Sequence, residues 1–112
     1  MKKTKSKVET DCIKTIDSRG TIRYYKVSDN INDQYDITRG FHRMGGPAII
    51  YPNGTQEWYV NGILHRESGP AIVDKVFGRH EWYWQGERLS QQQFHAIKIN
   101  GFVEQALDEH NG

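Results

Sequence analysis

Two histidine–arginine pairs, His42-Arg43 and His65-Arg66, stand 23 residues apart, and each opens the same run to Gly-Pro-Ala: His42-Arg43-Met44-Gly45-Gly46-Pro47-Ala48 and His65-Arg66-Glu67-Ser68-Gly69-Pro70-Ala71. An arginine offers a planar fork of donors suited to phosphate or carboxylate, and an imidazole can supply a further donor. The four side chains, His42, Arg43, His65 and Arg66, are therefore a candidate anion-binding edge. A structural role outweighs that reading. Each pair directly precedes a Gly-Pro connection, where a ring nitrogen can bond turn carbonyls and the arginine can pair with Glu57 or Glu81.

Other chemistry finds less support. Glu57 and Glu81 recur in register and could act as a carboxylate pair, but a repeated position reflects the repeat rather than one active site. Ser18, Ser68 and Ser90 sit in turn or cap contexts, and Cys12 has no histidine nearby in sequence. The histidines lack further ligands at zinc-site spacing, and the Asp- and Asn-bearing segment 28 to 40 lacks the glycine and distal glutamate of a calcium loop. The expectation is a protein that is not an enzyme and carries no metal or cofactor.

The elements that position these residues follow from a second repeated run. Glu57-Trp58-Tyr59-Val60-Asn61-Gly62 returns as Glu81-Trp82-Tyr83-Trp84-Gln85-Gly86, offset by 24 residues, so one residue is added in the later hairpin turn. A period in the twenties marks stacked supersecondary units, none able to bury its apolar face alone. One unit runs Pro47-Ala48-Ile49-Ile50-Tyr51, turns at Pro52-Asn53-Gly54 and returns through Gln56-Glu57-Trp58-Tyr59-Val60. Asn-Gly between apolar strands is a strong hairpin signal. The next runs Pro70-Ala71-Ile72-Val73-Asp74, turns near Lys75 to Gly78 and returns through His80-Glu81-Trp82-Tyr83-Trp84. Laying Gly20 over Gly54 places Tyr24 over Trp58 and Tyr25 over Tyr59, which makes residues 12 to 27 a degenerate first unit. A terminal unit has one neighbour only and keeps its outer face polar.

Past Leu89 the β pattern stops. Ser90 with Gln93 forms a capping box, and Phe94 and Ile97 share one helical face. A helix follows, with Asn100-Gly101 stopping or kinking it before a second short helix carrying Phe102, Val103, Ala106 and Leu107. The fold class expected is mainly β: stacked antiparallel hairpins in three units, the first degenerate, capped by one or two short C-terminal helices at about 90 to 109. Residues 1 to 8 read as a disordered basic tail, and 9 to 112 as one domain.

The run Trp-Tyr-x-x-Gly followed by His-Arg-x-x-Gly-Pro-Ala, with a turn glycine between strands, resembles the MORN repeat and its variants. More narrowly it is similar to small tailed-phage and bacterial proteins built from His-Arg-x-x-Gly-Pro-Ala units. The resemblance covers residues 40 to 94 closely and 12 to 25 loosely. Gly86-Glu87-Arg88-Leu89-Ser90, followed by polar residues and Phe94, resembles the segment that closes such arrays. It implies stacked hairpins used for protein or lipid contact and no catalytic residues.

Strand alternation separates two faces. Trp58, Val60, Trp82 and Trp84 share one, read as the core. Arg23, Tyr25, Glu57, Tyr59, Glu81 and Tyr83 take the other, a tyrosine column flanked by charge and the candidate partner-binding surface, since tyrosine gives rigid contact area with a polar tip. Fifteen basic against fourteen acidic residues leave a net charge of +1, which offers no global field for nucleic acid or membrane. The lone cysteine suits a reducing compartment, and polar residues follow the first lysines where a secretory leader would be apolar, so a cytoplasmic location is expected. The reading is a protein-binding module, a phage-type accessory protein that binds and modulates or inhibits a host or viral protein. The alternative is a phosphate-binding module contacting lipid headgroups or nucleic acid through the His-Arg edge.

Overall fold

The computed structural model describes residues 11–27 and 40–100. The basic tail, the 28 to 40 segment up to residue 39, and the second helix expected after residue 100 lie outside them. The elements run β1 (Cys12–Ile16), β2 (Ile22–Lys26), β3 (Ile49–Ile50), β4 (Gln56–Glu57), β5 (Tyr59–Val60), β6 (Ile63–Leu64), β7 (Ile72–Asp74), β8 (Arg79–Trp84), β9 (Glu87–Leu89) and α1 (Gln91–Asn100). Seven strands form an antiparallel sheet in the order β1-β2-β3-β4-β7-β8-β9, and β5 pairs with β6 alongside it. Sequential hairpins thus lie side by side: mainly β, with one short helix closing the described chain.

The hairpin turns form where side chains satisfy turn amides. Asp17 Oδ1 accepts from the N–H groups of Arg19 and Thr21, Asn53 Oδ1 from Thr55, and Asp74 Oδ1 from Val76 and Phe77. These are local Asx bonds that hold the chain in a turn. The added residue of the last unit sits in the Asp74 turn, as the offset of the repeat requires.

Each unit also carries a second hairpin at its other end. Asn61 and Gly62 have φ of 52° and 81°, and Gln85 and Gly86 have 48° and 87°. Two successive positive φ values make the two-residue turn whose twist matches paired strands. The chain therefore reverses into β6 and β9 instead of passing directly to the next unit. The strand expected through residues 56 to 60 divides at Trp58 for this reason. Its N–H donates to Ala71 O (2.8 Å) while its carbonyl accepts from His65 N–H (3.1 Å), so the residues before it pair with one neighbour and those after it with another. β8 stays continuous but splits its pairing likewise, Arg79, His80 and Glu81 against β7 and Trp82, Tyr83 and Trp84 against β9.

The tryptophan face is covered, though less completely than expected. Trp58, Trp82 and Trp84 are half-buried: Arg66 lies over Trp58, and Phe94 of the helix meets Trp84. Among the described residues the buried apolar side chains are those of Tyr24, Ala48, Ile49, Ala71, Leu89, Phe94 and Ile97. Ile49 belongs to the opposite face, opposed to Arg23 and Glu57. The helix packs against β8 and β9 beyond the last hairpin and leaves the His80–Glu81 edge of β8 unpaired among the described residues. Gln93 N–H donates to Ser90 Oγ (3.0 Å) and Ser90 N–H to Gln93 Oε1 (2.8 Å), a reciprocal cap. Phe94 then meets Trp84 edge-on at 6.2 Å between ring centroids.

Candidate interaction surfaces on the two faces

The His-Arg pairs are fastened into the scaffold. Asn61 N–H donates to His42 Nδ1 (2.9 Å), and Gln85 N–H donates to His65 Nδ1 (2.9 Å). Each imidazole thus holds the first residue of a two-residue turn 19 or 20 residues further on, bonding an N–H where a carbonyl was expected. With Nδ1 accepting, Nε2 carries the hydrogen. It faces Asp11 Oδ2 at 2.9 Å in His42 and Glu67 Oε2 at 3.4 Å in His65. His42 is 2% exposed, and His65 packs edge-on against Trp84 at 4.9 Å.

The arginines curl back over rings of the preceding unit rather than pairing with Glu57 or Glu81. The Arg43 guanidinium lies 4.0 Å from the Tyr24 ring centroid and that of Arg66 3.7 Å from the Trp58 ring. Nη1 of each donates to a proline carbonyl, Pro47 at 3.2 Å and Pro70 at 3.0 Å. The glycine before each proline makes room. A Cβ at Gly46 would stand 3.1 Å from Arg43 Nη1, and one at Gly69 would stand 3.3 Å from Arg66 Cζ. Burial pushes the Arg66 guanidinium below its usual range, since a low-dielectric setting disfavours its charge. The sequence motif Arg-x-x-Gly-Pro is thus a packing device. A cleft of about 400 Å³ remains between the two loops, lined by Arg43, Met44, Trp58, His65, Arg66 and Glu67 among others, so three of the four candidate edge residues come together there and His42 does not.

The opposite face carries two parallel cross-strand rows. Thr15, Arg23, Ile49, Glu57, Ile72 and Glu81 oppose one another in register across β1, β2, β3, β4, β7 and β8. Beside them runs a row of rings: Ile13 opposes Tyr25, Tyr25 bridges to Phe41, Tyr59 opposes Leu64, and Tyr83 opposes Arg88. The rings of Tyr25 and Phe41, and of Phe41 and Tyr59, are each 5.3 Å apart. All candidate residues of this face, Arg23, Tyr25, Glu57, Tyr59, Glu81 and Tyr83, are brought onto one surface. Sequence reasoning missed Phe41. Its signal was its place before His42-Arg43, where the next unit has Leu64.

Charge is distributed unevenly on this face. Arg23 Nη1 donates to Asp17 Oδ2 at 2.8 Å, which holds the Asp17 carboxyl down at about 2. Glu57 accepts from the hydroxyls of Tyr51 (3.4 Å) and Tyr59 (3.1 Å), and Glu81 from that of Tyr83 (3.5 Å). Neither glutamate forms an ion pair among the described residues. Burial, and then the Glu57 carboxylate beside it, push the Tyr59 phenol up to about 12; the same two causes raise Tyr51. Glu57 and Glu81 flank Ile72 on strands two apart, about 10 Å by strand spacing. Between and above them lies a groove of about 380 Å³ whose lining includes Tyr51, Ile72, Phe77 and Arg79. Phe77 is 75% exposed and Val76 57%.

Among the described residues no group of three His, Cys, Asp or Glu side chains is placed to hold a metal ion, and no helix is long and apolar enough to cross a membrane. Comparison of the chain with protein-family models, curated proteins and solved structures finds no match. The resemblance to MORN-type repeats rests on the residues that carry it.

Proposed function

We propose that this protein is a non-enzymatic binding module whose partner, a protein with basic residues at its contact surface, docks on the face carrying Tyr25, Phe41, Tyr59 and Tyr83. The observation that carries the reading is the pair Glu57 and Glu81, two carboxylates held by neutral tyrosine hydroxyls beside a row of half-buried rings. Interfaces favour such rings, and an incoming lysine or arginine supplies a cation to carboxylates that form no ion pair among the described residues. The groove at Ile72, with exposed Val76 and Phe77 at its rim, adds apolar area to the same surface. In line with the resemblance to phage repeat proteins, the partner is a host or viral protein whose activity the chain modulates or inhibits.

The experiment compares affinity capture by wild type with capture by two variants. Glu57→Gln with Glu81→Gln removes the charge while the amide oxygen at each position still accepts from one tyrosine hydroxyl; Arg43→Ala with Arg66→Ala alters the other face. Loss of a captured protein in the glutamine variant alone supports the reading. Its retention there, with loss in the arginine variant, transfers the function to the cleft between the arginine loops. That cleft, with two guanidinium groups and His65, is what favours the alternative of phosphate contact. Binding through phosphates would collapse between low and moderate salt.

A further inference from the structure

The array repeats one contact twice and leaves it unmade a third time. Arg43 covers the Tyr24 ring and Arg66 covers the Trp58 ring. The third ring in this series is Trp82, and at the 24-residue offset the arginine position is Ser90, which instead caps α1. Trp82 is half-buried, and among the described residues its one ring contact is the edge of His80 at 6.2 Å. Among the described residues no guanidinium lies over it. Beside it is a cleft of about 360 Å³ lined by His80, Glu81, Trp82, Arg88, Leu89, Ser90 and Gln91.

The backbone repeats the same omission. β2 is followed on its far side by β3, and β4 by β7, so each hairpin's return strand is paired by the strand of the next unit. In the last unit β9 pairs only Trp82, Tyr83 and Trp84. Arg79, His80 and Glu81 therefore pair with β7 alone among the described residues. An unpaired strand edge is a template for an added strand.

We propose that this open end docks an extended segment of a partner protein that lays an arginine over the Trp82 ring while its backbone pairs along His80 and Glu81. The chemistry of the occupant is set by what fills the equivalent place inside the chain: a guanidinium at 3.7 Å from an indole, a glycine under it, and a two-residue pairing of Ile72 and Val73 with Glu57 and Gln56. The lining carries one carboxylate, Glu81, and one guanidinium, Arg88, so recognition comes from the ring and the strand edge rather than from net charge. This surface lies at the end of the array on the tryptophan face. With the tyrosine face it shares Glu81 alone of the residues that carry that reading.

The probe is a synthetic peptide of residues 63 to 74 of this chain, which contains the arginine, glycine and strand in the required spacing. It is titrated into the ¹⁵N-labelled full chain while the three tryptophan indole N–H resonances are followed. The expected result is a saturable shift of the Trp82 indole with a Kd of about 1 mM or tighter. The Trp58 indole, already covered, should not move. A peptide with Arg66→Ala should bind about fivefold to thirtyfold more weakly. Since the substitution is in the peptide, the fold of the chain is not at stake. Three results overturn the proposal: no Trp82 shift at several times that concentration, equal binding of the alanine peptide, or equal shifts at Trp58 and Trp82. A Trp82 shift that follows the concentration of the chain alone assigns the edge to a second copy and overturns it too.

Discussion

Replacing His42 by alanine removes the side chain that ties one unit to the turn of the next, and its cost can be built from its contacts. The Asn61 N–H loses its acceptor at 2.9 Å; because that turn reaches solvent, the loss sits near the lower end of the cost of an unsatisfied donor, about 1 kcal/mol. The bond to Asp11, whose side chain is 44% exposed, adds at most about 0.5 kcal/mol after screening. Removing the ring from a site 2% exposed leaves a void worth about 1 kcal/mol. The sum is about 2 to 3 kcal/mol, or roughly 8 to 20 °C in Tm for a domain of this size. His65→Ala should cost about half as much, since its second contact is 3.4 Å long to an exposed Glu67 and water can replace it. His42→Asn should recover about 1 kcal/mol, because an amide oxygen can sit near the place of Nδ1. Urea unfolding followed by tryptophan fluorescence measures all three, with the slope checked for constancy. Equal costs for His42→Ala and His65→Ala, or no recovery by asparagine, would refute the turn-fastening account.

The arginine loops make a non-additive pair. Gly69→Ala and Arg66→Ala should each cost about 1 to 2 kcal/mol, and the double variant little more than Arg66→Ala alone, because the new methyl clashes only while the guanidinium is present; additive losses in denaturant midpoints would show that the glycine serves the backbone instead. With the folded Tyr59 phenol at about 12 against an ordinary 10, the native state holds its proton longer than the unfolded chain does, so that contribution is complete below pH 10 and is lost as pH rises to about 12. Tyr59→Phe should lose stability at neutral pH and flatten this alkaline limb, as read by melting temperature against pH. Phe94, 4% exposed against Trp84, anchors the helix, and Phe94→Ala should cost about 3 kcal/mol; a wild-type melting curve would remove the helix from its capping role.

The repeat made the hairpins legible because turn chemistry is local. Asn53-Gly54 and the Asp17 and Asp74 turns are decided by side chains bonding amides a few residues on, and Ser90 with Gln93 caps the helix by the same kind of bond. The sharing of one face by Tyr25, Tyr59, Tyr83, Glu57 and Glu81 was legible too, since alternation is a property of the strand itself. Contacts between units were not. That His42 bonds the turn at Asn61, 19 residues away, and that Arg66 lies on Trp58 depend on how one unit seats on another, which composition does not encode. The return strands β6 and β9 were missed although Val60-Asn61-Gly62-Ile63 carries the apolar-Asn-Gly-apolar signal of a hairpin. The half-exposure of Trp58 follows from the arginine that covers it, whose aliphatic stem and flat guanidinium group shield a ring without sealing it.

The most direct test of the tyrosine face as the docking surface is amide hydrogen exchange of the chain with and without the protein it captures. The account predicts slowed exchange along the rows that carry this face, at residues 23 to 25, 57 to 59, 72 to 77 and 81 to 83, with the loops at 43 to 46 and 65 to 69 unchanged. Protection confined to those two loops, with the tyrosine rows exchanging as in the free chain, would contradict it.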